Sequence, residues 1–152
     1  MEIRTFVRDD IEETVELWRR SELLNPKNDP RRDIERKLID SPWGFLVMVD
    51  EDQIIGSIMV GYDGHRGWVN YLACHPEHRR KGVATALMNK AQEVLLEHGC
   101  PKINLQVRAG NTSATRFYES IGYSEDHVRS YGLRLETDDV KVANRRTSSR
   151  TP

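Results

Sequence analysis

The chain has 152 residues, 31% of them charged, and a formal net charge of -1. That length suits one domain with a single core and is short for two, and the balanced charge supplies no global field to recruit nucleic acid or an anionic membrane. Met1-Glu2-Ile3-Arg4 lacks a secretory pattern, no apolar run reaches a membrane span, and Cys74 and Cys100 have no C-x-x-C spacing, so a soluble cytoplasmic protein with two reduced thiols is expected.

Ile3 to Val7 reads as a strand, followed by Asp9 and Asp10 as cap residues for a helix with Ile11, Val15 and Trp18 on one face. Asp29-Pro30 caps and opens a second helix that carries Ile34 and Leu38 and stops at Ser41-Pro42. Phe45 to Val49 and Ile54 to Val60 are strands about the turn Asp50-Glu51-Asp52, and Asp63-Gly64 closes a hairpin onto Trp68 to Cys74. From Gly82 to about His98, Val83, Leu87, Ala91, Val94 and Leu95 recur at helical spacing, with Gly99 and Pro101 as the stop. Ile103, Leu105 and Val107 then alternate as a strand, which gives a strand–helix–strand unit and a parallel pair. A last helix runs from Asn111 to Ile121, ended by Gly122, and further strands are predicted around Tyr123 to Val128 and Tyr131 to Leu135. The fold class is α/β: a mixed, mostly antiparallel sheet with helices on both faces and one parallel unit. Residues 1–136 form the expected domain. Residues 137–152 read as a polar, disordered tail, solvated despite Arg145, Arg146 and Arg150.

The chemistry concentrates in Leu72-Ala73-Cys74-His75-Pro76-Glu77-His78-Arg79-Arg80-Lys81-Gly82-Val83-Ala84, a strand running through a basic turn into a helix. The first N–H groups of a helix lack intrahelical partners, and the helix dipole adds positive potential there. With Arg79, Arg80 and Lys81 alongside and no Cβ at Gly82, the favoured ligand carries a phosphate or pyrophosphate. Gly82 is followed by Val83 and Ala84, so G-x-x-x-x-G-K-[ST] is absent, and a single glycine does not make G-x-G-x-x-G. His75 and His78 have no partners at ligand spacing, so no metal is expected.

Arg79-Arg80-Lys81-Gly82-Val83-Ala84 resembles [QR]-x-x-G-x-[GA], the pyrophosphate motif of the GNAT superfamily of acetyl-CoA-dependent N-acetyltransferases. Leu105-Gln106-Val107, Asn111, Ala114, Phe117-Tyr118 and Gly122-Tyr123 resemble its second signature, L-x-V-x-x-x-N-x-x-A-x-x-F-Y-x-x-x-G-[FY]. Singly, Asn111 reads as an N-cap, Gly122 as a C-cap and Phe117/Tyr118 as core aromatics. Jointly they read as a site. Asn28-Asp29-Pro30, Asp33 to Lys37 and the turn Gly61 to Gly67 look most like the YpeA-like bacterial acetyltransferases within the superfamily.

The resemblance implies a GNAT-like fold and acetyl-CoA as co-substrate, with its pyrophosphate on the N–H groups of about Arg80 to Ala84. It also implies a pantetheine arm between the strands holding Leu72, Ala73 and Cys74 and Leu105 to Val107, with Asn111 beside it. By the same resemblance the Cys74 N–H polarises the thioester carbonyl, and Tyr118 is the general acid that returns a proton to the thiolate. Some relatives that acetylate protein N-termini have glutamate as base where this chain has Gln106, which cannot accept a proton. Asp63, His65, Asn70, Tyr71, His75 and Glu35 are unranked alternatives. The expected function is acetyl transfer to a primary amine, on a small or amino-acid-like molecule by preference, with Asp29, Asp33 and Glu35 as negative charge for a cationic acceptor. A protein lysine or N-terminus, and a sensor that binds acetyl-CoA without turnover, stay open. So does the choice between monomer and homodimer.

Overall fold

A computed structural model describes residues 1–138. Five strands form one sheet in sequence order: β1 (Glu2–Thr5), β2 (Phe45–Asp50), β3 (Gln53–Tyr62), β4 (Gly67–Cys74) and β5 (Ile103–Asn104). The first three pairings are antiparallel and β4–β5 is parallel. With it go helices α1 (Ile11–Arg20), α2 (Pro30–Asp40), α3 (Val83–Glu97) and α4 (Thr112–Ser120), and short 3-10 turns at Arg8–Asp10, Pro42–Gly44 and Pro76–His78.

The sheet separates two cores. One holds Trp18, Ile34, Phe45, Val47 and Met59, against α1 and α2; the other holds Leu46, Met48, Ile58, Val60, Val83, Leu87 and Leu95, against α3. Alternate residues of β2 enter opposite cores, so both faces of the central strands are apolar and they read as continuous hydrophobic runs. The predicted cap of α2 is present: the Asp29 carboxylate accepts from the Arg31 N–H at 2.9 Å, and Pro30 opens the helix.

Two strand glycines seat α3 on the sheet. A Cβ on Gly56 would lie 2.7 Å from Val83 Cγ1, and one on Gly67 would lie 2.8 Å from Cys100 Sγ and 3.0 Å from Leu95 Cδ1. The first fixes the start of α3 and the second its end.

The latter part of the chain departs from the expectation. β5 ends at Asn104, short of Val107, and residues 123–135 form no strand. Alternation equips a segment for pairing, but a strand exists only where a neighbouring edge answers its N–H and C=O groups. Of the expected tail, Asp138 is buried, its carboxylate held by Arg36 at 2.7 and 2.5 Å and its N–H donating to the Lys27 carbonyl at 3.0 Å. Residues 139–152 lie outside the described residues.

Candidate functional site

β4 reaches the site through a bulge. Ser57 pairs with Ala73 and Met59 with Asn70, so Tyr71 and Leu72 together oppose Ile58. Tyr71 takes φ +51, a left-handed conformation costly for a residue with a Cβ, and several contacts hold it there. Its ring stacks on Trp18 at 3.8 Å, its carbonyl accepts from Ser57 Oγ at 2.9 Å, and its phenol donates to Asp33 at 2.7 Å. The same Ser57 Oγ accepts from Trp18 Nε1 at 2.8 Å. Nothing in the sequence marks Ser57; the one hint is that a buried tryptophan N–H needs an acceptor.

Beyond the bulge the backbone directions follow from one bond. The His75 N–H donates to the Ile55 carbonyl at 2.8 Å, which makes Gly56–Cys74 the alternate pair whose polar groups face away from each other. Cys74 therefore turns its N–H away from β3. Its carbonyl accepts from Ser21 Oγ at 3.2 Å. On that outer side β4 is paired with β5 only at Gly67 and Trp68, so among the described residues the two strands part towards their carboxyl ends and leave a fork. Leu72, Cys74, Leu105, Phe117 and Tyr118 all pack against the α3-side core that underlies it. Ala73 lies on the other face, in the α1-side core.

The basic turn follows β4 through a short turn of 3-10 helix at Pro76–His78. Arg80 and Gly82 have φ +63 and +79, and such left-handed residues curl successive N–H groups into an anion-binding concavity. A Cβ on Gly82 would meet nothing within 4 Å, so glycine serves the backbone angle and leaves open space in front of the helix. The first helical bond runs from the Ala86 N–H to the Gly82 carbonyl at 2.9 Å, which directs the N–H groups of Val83, Ala84 and Thr85 off the end of α3. Arg79, Arg80 and Lys81 are exposed beside it. A hollow of about 380 Å³ adjoins the turn, with Lys81 and Lys90 among its lining residues.

Tyr118 on α4 is half-buried and edge-on to Phe117 and Tyr123, and burial pushes its phenol up to about 12. Its hydroxyl has no hydrogen-bond partner among the described residues. Asn111 caps α4, its Oδ1 accepting from the Ala114 N–H at 3.0 Å, which leaves its amide nitrogen to donate. Burial also raises the Cys74 thiol, away from nucleophilic use.

The candidate bases do not gather here. Asp63 and His65 lie in the β3–β4 turn, at the opposite end of β4, roughly 25 Å from Cys74 at about 3.3 Å per residue. Two N–H groups of that turn lower the Asp63 carboxyl. Glu35 forms a two-point ion pair with Arg8 at 2.6 and 3.0 Å. Tyr71 already donates to Asp33, and both burial and that carboxylate raise its phenol. His75 is buried; its Nδ1 accepts from the Glu77 N–H at 3.1 Å, and burial with Arg20 nearby lowers its pKa. Asn70 is exposed and has no basic lone pair to offer. The carboxylates expected to greet a cationic acceptor are occupied too: Asp33 accepts from Tyr71, Asn28 and Arg36, and Asp29 caps α2. Among the described residues no cluster of His, Cys, Asp and Glu could hold a metal, and no helix is long and apolar enough to cross a membrane.

Residues 11–123 match the Acetyltransferase (GNAT) family. The chain is 49% identical over 139 residues to Acetyltransferase SG1711 of Sodalis glossinidius, covering 91% of this chain and 98% of that one. Among solved structures, Ard1 from Thermoplasma volcanium superposes with TM-score 0.73 at 27% identity, covering 81% of this chain and 82% of that chain. AAC(6')-Iy, in complex with the bisubstrate analogue CoA-S-monomethyl-acetylneamine, shares the fold with TM-score 0.72 at 18% identity, covering 88% of this chain and 98% of that chain.

Proposed function

Since the chain belongs to the GNAT acetyltransferase family, we propose that it transfers the acetyl group of acetyl-CoA to a primary amine by direct attack in a ternary complex. The observation that carries this reading is the alignment of the forked β4–β5 end, with the outward Cys74 N–H, against the glycine-bearing start of α3. The turn at Arg79–Ala84 takes the pyrophosphate. Leu72 to Cys74 present an open strand edge to the pantetheine amides, and the Asn111 amide nitrogen donates to the same arm. Bound acetyl-CoA supplies the thioester. The Cys74 N–H polarises the acetyl carbonyl as the amine attacks, the C–N bond forms, the C–S bond breaks, and Tyr118 gives its proton to the departing sulfur.

With the candidate bases occupied or distant, the amine sheds its proton to water, and water returns one to the Tyr118 phenolate. The acceptor in this reading is a small amine or amino-acid-like molecule, in keeping with Gln106, which contacts Ser130. The narrower likeness to YpeA-like acetyltransferases and a cytoplasmic location belong to the same proposal.

The test is calorimetric titration with acetyl-CoA, then thiol release against small amines and a lysine-peptide mixture. Saturable binding, release with a small amine, a collapse of rate in Tyr118→Phe at near wild-type cofactor affinity, and loss of binding in Gly82→Glu are expected. Release with peptides alone would move the acceptor to proteins. Binding without any release points to a sensor, and full affinity in Gly82→Glu overturns the pyrophosphate assignment.

A further inference from the structure

Helix α1 ends in a Schellman turn. The Leu23 N–H donates to the Trp18 carbonyl at 3.0 Å and the Glu22 N–H to the Arg19 carbonyl at 3.2 Å, with Leu23 packed against the same core that holds Trp18. Such a turn needs one left-handed residue just past the helix, and glycine is the usual occupant because it has no Cβ to strain. Here that residue is Glu22, at φ +60. A second penalty adds to the first, since its carboxylate stands at the negative end of the helix dipole, where a cation is favoured. The two cations of the last turn are engaged elsewhere: Arg19 with Glu16 at 2.5 Å, and Arg20 with His75 Nε2 at 3.1 Å and Glu77 at 4.0 Å. Glu22 is exposed, and its carboxylate has no partner among the described residues.

The stability of the helix end gives no reason for this residue, but its location does. Ser21, its neighbour, donates to the Cys74 carbonyl at 3.2 Å and so ties the turn to the fork between β4 and β5. Successive Cα atoms are about 3.8 Å apart, which puts the Glu22 Cα within about 10 Å of that carbonyl. The carbonyls of Arg20 and Ser21 accept no hydrogen bond among the described residues. A carboxylate and two open carbonyls at the negative end of a helix make a seat for a cation. The acidic residues that the sequence offered for this task are taken: Asp29 caps α2, Asp33 accepts from Tyr71, and Glu35 pairs with Arg8.

We propose that Glu22 selects the acceptor, holding the second cationic group of a small diamine whose first amine takes the acetyl group beside Cys74. This rests on the fork as the place of transfer and narrows the acceptor from any small amine to one with two positive charges. The strained, like-signed helix end is then a stability cost retained for recognition.

The test compares 1,4-diaminobutane with butylamine on the full chain, by calorimetric binding with and without coenzyme A and by kcat/KM for thiol release from acetyl-CoA. The wild type should favour the diamine, and Glu22→Gln should shrink that preference about two- to fivefold, the range of an exposed ion pair. Glu22→Gly should shrink it likewise while raising Tm, because glycine removes both the backbone strain and the charge at the helix end. A wild type that binds and acetylates both amines equally overturns the proposal, as does a preference that survives either folded variant. A Tm lowered by Glu22→Gly returns the residue to a structural role and overturns it too. A diamine preference in binding, with no thiol release from either amine, supports the cation seat and refutes acetyl transfer, so the two readings fail separately.

Discussion

Tyr71 shows how much of the candidate site rests on single side chains. Ring, carbonyl and hydroxyl are each held by a different neighbour, and together they fix the bulge from which Cys74 takes its direction. A sequence displays the tyrosine but not its register slip, because a bulge is a property of two strands at once. The same limit applied to the carboxylates. Asp33 and Glu35 read as free negative charge until folding set Tyr71, Arg36 and Arg8 against them. Tyr118 was legible because its place beside Phe117, seven residues after Asn111, is a matter of chain spacing alone. With the phenol raised to about 12 by burial, it stays protonated across the working range. The rising limb of the pH–rate profile should then belong to the acceptor: kcat/KM climbs towards the amine's own pKa, about 7.7–8.0 for an α-amine and about 10.4 for a lysine-like amine. A limb at one fixed pH for both acceptors would identify a protein base instead.

At the scale of elements, α3 is placed by what the strands beneath it lack. Gly56 and Gly67 let the helix lie close at both ends, and the helix start is the proposed pyrophosphate seat. In Gly56→Ala the new methyl meets the ends of Val83 and Leu87, so we expect a stability loss of about 1–3 kcal/mol and a raised KM for acetyl-CoA with kcat nearly kept. Denaturant unfolding and steady-state kinetics check the two halves; an unchanged KM means that the start of α3 has not moved. The helices and first four strands were legible because each carries its own apolar periodicity, and α2 and α4 carry caps at Asp29 and Asn111 as well, although the expected cap of α1 at Asp10 makes no side-chain bond to its helix. The final strands were not, although Tyr131, Leu133 and Leu135 alternate as strands do. Alternation is a property of one segment, and no neighbouring edge pairs with these residues among those described.

Across the whole molecule, two cores back to back on the sheet draw their buried apolar residues from the first hundred positions, and a polar clasp ties residue 138 to Arg36 on α2. Asp138 lies in a region that composition assigned to a polar tail, since one buried carboxylate leaves no trace in an average. Arg36 and the Asp29 N–H hold its carboxyl down to about 2, against an ordinary 3.8. The stabilisation is therefore complete above the ordinary value and disappears as pH falls through about 2. Asp138→Asn should lose about 1.5 kcal/mol at neutral pH, the low end for a charge-assisted bond because Arg36 is half exposed. That corresponds to about 3–6 °C in Tm. Calorimetry should show the gap between variant and wild type closing as the pH approaches 2; a gap that persists there would assign it to shape rather than charge.

His75 carries a further consequence. Its Nδ1 faces the Glu77 N–H at 3.1 Å and its Nε2 the guanidinium of Arg20 at 3.1 Å, both of which only donate, while a neutral imidazole has one nitrogen that accepts. The two donors compete for the ring's one lone pair, and the balance depends on how closely the end of α1 sits against the end of β4. The imidazole nitrogen resonances of His75 are thus a built-in gauge of that separation, readable by NMR in the resting protein and again as the fork fills.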